Sequence, residues 1–356
     1  VSRLCRQEIP SQRRAAMTDI NSRKEDHIAL ASEVKHQAAQ GSGFDRLRFE
    51  PNPLPQTSLQ DIKLDSDFLG RPVAAPFLIG AMTGGCNNGE LINKHLAEAA
   101  QACNIPMAVG SQRAALESGM PQAARRCAPS AILLGNLGAT QLQLHGLDLA
   151  RRAVDAIDAN ALVIHLNPLQ ELIQPNGDRD WNEVLEAIQH CAAKLGVPVI
   201  VKEVGAGIGP TSAKKLMGAG IEWIEVAGRG GTNWASIELD RNGSEWEREV
   251  AGAFIDWGMD TVEILPAVHA ACPNLRLIGS GGVRNGLDIA RCIRLGAEMT
   301  ALAQPFLASA LISTEAVIEK ISILEEQLRW TMFLTGCKRL SDLSLAEINR
   351  PESLSL

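Results

Sequence analysis

The chain has 356 residues, 46% of them hydrophobic and 21% charged, with a formal net charge of -7. The acidic balance argues against nucleic acid or an anionic membrane as the main partner, because both select a basic surface, and no apolar run reaches the ~18 residues needed to cross a bilayer. Eight cysteines and seven histidines are dispersed without C-x-x-C or H-E-x-x-H spacing, which argues against a zinc site, and the absence of tyrosine means that any proton transfer does without a phenol.

Residues 1–16 carry Arg3, Arg6, Arg13 and Arg14 without the apolar stretch of a secretory signal. With Glu8 and Pro10 interrupting the basic pattern, residues 1–21 read as a disordered or non-native leader. Ser22-Arg23-Lys24-Glu25-Asp26-His27-Ile28 then opens a helix-like run through Ala38. Its adjacent Arg23 and Lys24 can grip an anion, or can be a solvated helix end. Residues 41–71, rich in Pro, Gly and Asp, read as loop with short strands.

From Pro72 one unit repeats. Apolar runs at 73–82, 106–110, 131–137, 161–167, 197–204, 221–228, 275–280 and 298–303 alternate with segments of helical period. Runs nearly continuous in Val, Ile, Leu and Ala are those of strands buried on both faces. Eight such units with right-handed crossovers predict an α/β fold, a (β/α)8 TIM barrel with an N-terminal extension and C-terminal helices. The domain is expected to span 22–340 as a single unit, with a tail at 341–356. The connection from Gly228 to Asp260 reads as a long polar lid or disordered loop. Residues 306–330 read as one long amphipathic helix, and Ser341 to Glu347 as a short one.

In such a barrel, chemistry sits where the strands end. Strand seven runs into Gly279-Ser280-Gly281-Gly282-Val283-Arg284-Asn285-Gly286, where backbone N–H groups and a helix start can cradle a phosphate. It is not the dinucleotide fingerprint, since Arg284 stands at the third glycine, and it lacks the P-loop Lys-Ser/Thr ending. Thr83, Ser111 and Asn136 can be ligand contacts, turn residues or caps. Lys202, inside Val199-Ile200-Val201 and Val204, must meet an anion or an electron-rich ring, because it cannot sit unpaired in a buried strand. Glu171 beside Gln170 is either a helix-start carboxylate or, near phosphates, a magnesium ligand. His165 is either a satisfied barrel-top histidine or a catalytic one.

Read together, Arg23-Lys24-Glu25-Asp26-His27, Ala81-Met82-Thr83-Gly84-Gly85, Ser111-Gln112-Arg113, His165-Leu166-Asn167-Pro168-Leu169-Gln170-Glu171, Lys202-Glu203-Val204-Gly205, Gly230-Gly231-Thr232-Asn233-Trp234, the glycine-rich turn and Ala303-Gln304-Pro305-Phe306 resemble type 2 isopentenyl-diphosphate delta-isomerase. The resemblance runs from about residue 22 to residue 340. The Asn-Pro-Leu-Gln-Glu and Gly-Gly-Thr-Asn-Trp segments carry most of its specificity.

It implies a homo-oligomer, a tetramer or octamer, while the scattered cysteines read as small buried residues of a reducing cytosol and place the protein in the cytoplasm. Such an enzyme interconverts isopentenyl and dimethylallyl diphosphate with reduced FMN, Mg2+ and NADPH as the reductant, without net redox. By motif, Ala81, Met82, Thr83, Ser111, Asn136, Lys202, Thr232, Gly281, Gly282, Val283, Arg284, Ala303 and Gln304 are expected to contact FMN. Arg23, Lys24, Ser111, Gln112, Arg113 and Gln170 are expected on the substrate and Glu171 on the metal. The N5 region of the flavin is the expected proton carrier, with His165 and Gln170 as candidate catalytic side chains. The alternatives are an FMN-dependent oxidoreductase of the hydroxy-acid oxidase type, with His165 as base, and a non-catalytic flavin-binding barrel.

Overall fold

Eight short, nearly all-apolar strands carry the architecture in a computed structural model that describes residues 26–31, 33–38, 41–82, 87–242 and 244–349. They are β1 (Phe77–Ile79), β2 (Met107–Ala108), β3 (Leu133–Gly138), β4 (Ala161–Leu166), β5 (Val199–Glu203), β6 (Trp223–Glu225), β7 (Arg276–Gly279) and β8 (Met299–Leu302). All neighbours pair in parallel, and β8 closes on β1 to complete the barrel. Each strand coincides with one of the eight apolar runs read from the sequence, β3 passing the end of its run by one residue, so the expected (β/α)8 barrel is the observed one.

Side chains alternate across each strand, and the alternation splits the core in two. Outward residues such as Phe77, Ile79, Leu162, Ile164, Val201 and Leu277 join the large cluster shared with the surrounding helices. Inward residues Leu78, Ala108, Leu134, Val163, Ile200, Trp223, Ile278 and Ala301 form a separate cluster inside the barrel. A hairpin, Ser66–Phe68 with Arg71–Val73, contributes Phe68 to that inner cluster. Its ring meets Trp223 edge-on at 5.0 Å.

Three elements differ from the sequence reading. The Gly228–Asp260 connection is helical rather than loop, with helices Trp234–Asn242 and Glu245–Gly252. Ser244 and Glu247 form a reciprocal capping box that starts the second helix, while Ala235, Leu239 and Ala251 pack with Ile173 in a small apolar cluster. The 306–330 run is two helices, Gln304–Ile312 and Thr314–Thr335, because Ser313 is extended and its hydroxyl caps the second by accepting from Ala316 N–H. The short C-terminal helix is only Leu340–Leu343. The chain then adds Ile348–Asn349 antiparallel to Arg48–Phe49, which ties its end to the N-terminal extension.

That extension lies over the strand ends of the barrel. Ala38 N–H donates to Gly231 O at 2.9 Å, and Asn233 N–H donates to His36 O at 2.8 Å. Below it, Asp260 joins two arginines from different elements, Arg46 of the extension at 2.6 Å and Arg229 of the loop after β6 at 2.8 Å.

Candidate active site

Moving two residues past each inward apolar residue on five successive strands changes the chemistry. Leu134 leads to Asn136, Val163 to His165, Ile200 to Lys202, Trp223 to Glu225 and Ile278 to Ser280. Because the side-chain period is two, these residues share the inward face. His165 stands opposite Lys202 in the β4–β5 ladder, and Lys202 opposite Glu225 in the β5–β6 ladder. The result is a polar tier across the top of an apolar barrel, and all five residues line one cavity of about 460 Å³. That size suits a cofactor or a small ligand.

The tier is wired internally. Asn136 donates Nδ2–H to Val109 O at 3.1 Å and stands 2.8 Å from His165 Nδ1 through its Oδ1. Burial, helped by the neighbouring Lys202 charge, lowers the His165 pKa to about 3. The imidazole is therefore neutral, with Nδ1–H donating to Asn136 and Nε2 left as an acceptor. Lys202 Nζ lies 3.6 Å from Glu225 Oε1, which also accepts from Ser280 Oγ at 2.9 Å. The anion that a buried Lys202 required is thus Glu225.

At one end of the cavity lies the glycine-rich turn. Gly281 and Gly282 have φ of 96° and 82°, a region that favours glycine. A Cβ on Gly281 would sit 2.0 Å from Gly228 O, and one on Gly282 would sit 2.5 Å from Ser42 Cβ. Close approach of the β6 loop and the extension thus forces both glycines. Arg284 beside them bonds two neutral acceptors, Gln304 Oε1 at 2.7 Å and Gln37 Oε1 at 2.6 Å. Its charge is left for an anion. Two left-handed glycines, an arginine whose guanidinium bonds no carboxylate among the described residues, and a lysine in the polar tier fit the phosphate and ring of a flavin nucleotide.

The other end holds carboxylates and amides. Glu171 is buried, its Oε1 accepting from Asn167 Nδ2 and its Oε2 from Asp178 N–H, both at 2.8 Å. Among the described residues no group of three His, Cys, Asp or Glu could hold a metal alone. A magnesium ion on Glu171 would take its remaining ligands from a diphosphate and water, the usual pattern for that ion. Gln170 Nε2 donates to Glu238 Oε1 at 2.9 Å, and His27 Nε2 reaches the same oxygen at 3.0 Å. Arg241 holds Glu238 Oε2 at 3.0 Å. Burial alone would raise the Glu238 pKa; the bond and charge of His27, then Gln170 and Arg241, outweigh it and hold the carboxyl at about 2.

Of the positions read from sequence, Ala81, Met82, Ser111, Asn136, Lys202, Thr232, Gly281, Gly282, Val283, Arg284, Ala303 and Gln304 all line the cavity. So do Arg113, His165, Gln170 and Glu171. Arg23, Lys24 and Thr83 lie outside the described residues. Gln112 is not among the lining residues. It is buried and braces β2 against β3, donating to Ala153 O at 2.9 Å and accepting from Asn136 N–H at 2.9 Å. Sequence reasoning passed over Glu225 and Glu238. The first was marked by the same two-residue spacing that exposes Lys202; the second had no signal, standing in a polar segment read as loop.

The FMN-dependent dehydrogenase family model matches residues 19–166 and 159–350. An isopentenyl-diphosphate delta-isomerase of Pseudescherichia vulneris is 49% identical over 332 residues, 92% of this chain and 96% of that protein. One from Xanthobacter autotrophicus is 50% identical over 327 residues, 90% and 95% of the two chains. Among solved structures, a mandelate oxidase with 2-hydroxy-phenylacetamide superposes with a TM-score of 0.65 at 21% identity, covering 94% of this chain and 96% of that one. A mandelate oxidase with benzaldehyde does so at 0.65 and 22%, covering 96% and 98%. At that identity the oxidases share the fold alone.

Proposed function

The chain belongs to the isopentenyl-diphosphate delta-isomerase family, and from that premise we propose that it interconverts isopentenyl and dimethylallyl diphosphate on FMN, with no net redox change. The observation that carries this reading is one cavity whose ends suit different anions. A glycine and arginine cradle with a lysine-bearing floor serves the flavin, and Arg113, Gln170 and Glu171 serve a diphosphate with Mg2+. The hydroxy-acid oxidase reading would leave that second end without a purpose.

The reaction adds a proton to the terminal alkene carbon and removes one from the carbon across the chain, through a cation that water would trap. Reduced FMN, when bound, supplies an electron-rich face for that cation and a site for the travelling proton.

The protein's own work is to bind, orient and exclude water. Gly281, Gly282, Val283 and Arg284 would hold the cofactor phosphate, and Ala81, Met82, Thr83, Ser111, Asn136, Thr232, Ala303 and Gln304 would hold the rest. Lys202 would stabilise negative charge on the reduced flavin ring. Arg23, Lys24 and Arg113, with Mg2+ on Glu171, would hold the diphosphate, whose remote binding energy would orient the reacting carbons. Glu238 fixes the Gln170 amide at 2.9 Å, so that it presents one orientation to the substrate. His165 is uncharged, and its free Nε2 accepts rather than donates. Trp234 of the Trp234–Asn242 helix and His27, Ile28 and Ala31 of the extension wall the cavity and would limit water at the reacting carbons.

NADPH acts only to prime the flavin. The working protein is a cytoplasmic homo-oligomer, and residues 22–340 act as one unit. Purified protein given FMN, NADPH and Mg2+ converts isopentenyl diphosphate to dimethylallyl diphosphate. Failure to bind FMN, or FMN binding without conversion, overturns the reading.

A further inference from the structure

Ser280 belongs to the glycine-rich turn that suits a phosphate, yet its hydroxyl is turned back into the barrel. Its Oγ donates to Glu225 Oε1 at 2.9 Å and accepts from Ala227 N–H at 3.1 Å. Glu225 in turn is the cross-strand partner of Lys202. Both side chains are buried, with 6% and 10% of their surface exposed.

Among the described residues few groups face Lys202. On the β4 side stands His165, neutral because its pKa is lowered to about 3. Its chain neighbour Glu203 points to the outer face, where its Oε2 gathers the N–H groups of Val204, Gly205, Ala206 and Gly207. On the β6 side stands Glu225, whose carboxylate meets the ammonium side chain to side chain at 3.6 Å. One further bond runs from Lys202 Nζ to Glu203 O. An ammonium has three N–H donors, so at least one remains for the cavity that Lys202 lines. A buried ammonium without a counter-charge loses its proton readily.

We propose that Glu225, anchored by Ser280, is a positioning residue for Lys202: it keeps the ammonium charged and holds it at the cavity floor, facing the space assigned to the flavin ring. The consequence for FMN affinity rests on the function proposed above; the effect on Lys202 itself does not. Ser280 is thereby a bracket for the floor, and the turn's phosphate contacts fall to Gly281, Gly282 and their neighbours.

The test uses FMN-free full-length protein with 15N-labelled lysine, the Lys202 Nζ signal being identified by its loss in Lys202→Met. In Glu225→Gln the Lys202 Nζ signal is expected to change over a lower pH range than in the wild type, with Glu225→Asp restoring part of the difference. Ser280→Ala is expected to move that range in the same direction by less. Titration with FMN should show about tenfold weaker binding in Glu225→Gln and partial recovery in Glu225→Asp. A Lys202 titration in Glu225→Gln that matches the wild type, in protein with unchanged circular dichroism, overturns the proposal. If that variant does not fold, an unchanged Lys202 titration in Ser280→Ala overturns it instead. Wild-type protein that never binds FMN would sink the function proposed above, and the Lys202 shift would still decide this one.

Discussion

Glu238→Gln removes the charge at the point where the extension, the helix after β4 and the Trp234–Asn242 helix meet. In the wild type its carboxyl is lowered from 4.5 to about 2, against the opposing effect of burial. That difference corresponds to about 3 kcal/mol of preference for the charged form. Because the folded pKa is the depressed one, this stability is complete above pH 4.5 and is lost as pH falls from 4.5 toward 2. The amide keeps an oxygen for His27 or Gln170 but, among the described residues, leaves buried Arg241 with Asp26 at 3.3 Å as its one carboxylate. Breaking a buried pair in this way costs about 3 kcal/mol or more, much of it local. Hydrogen exchange at pH 7 reads it directly: amides of residues 234–242 should exchange about 100-fold faster in the variant, while those of β3 to β5 stay unchanged. Gln170 loses its fixed orientation, so turnover should fall at least tenfold. Exchange within about twofold of wild type across 234–242 would refute the assignment of Glu238 as the tie.

Gly282→Ala places a Cβ 2.5 Å from Ser42 and 2.6 Å from Gly230 O at a φ of 82°; FMN binding should weaken more than tenfold, whereas Gly252→Ala, which meets nothing within 4 Å, should leave titrations unchanged. His165, with its pKa lowered from 6.5 to about 3, should give 15N shifts of a neutral ring with Nδ1–H down to about pH 4, and an imidazolium at pH 6 would contradict its bond to Asn136. Since the unfolded chain takes up that proton first, His165 makes folding less favourable as pH falls from 6.5 toward 3. Glu171→Gln should raise the Mg2+ concentration needed for half-maximal activity at least tenfold and leave FMN affinity intact; an unchanged magnesium dependence would remove the metal role.

The barrel was legible because strands buried on both faces must be apolar throughout, and eight such runs stand clear of the helical segments between them. Lys202 was legible for the opposite reason, as a charge where none can stay unpaired. Its partner was not, because Glu225 comes three residues before the first of the glycines that drew attention at the end of strand six. The Trp234–Gly252 helices were hidden by their polar surface, although Ser244 and Glu247 carry a capping-box spacing. Gln112 shows the limit of reading a motif without its backbone: it adjoins Ser111 and Arg113, which line the cavity, and faces the barrel wall instead.

The central claim is that the flavin cavity moves a double bond and leaves no net oxidation behind. Isopentenyl diphosphate incubated in heavy water with the protein, FMN, Mg2+ and a small amount of NADPH should give dimethylallyl diphosphate carrying deuterium, with many product molecules formed per NADPH consumed. NADPH loss matched one-to-one with product, or product free of deuterium, would contradict it.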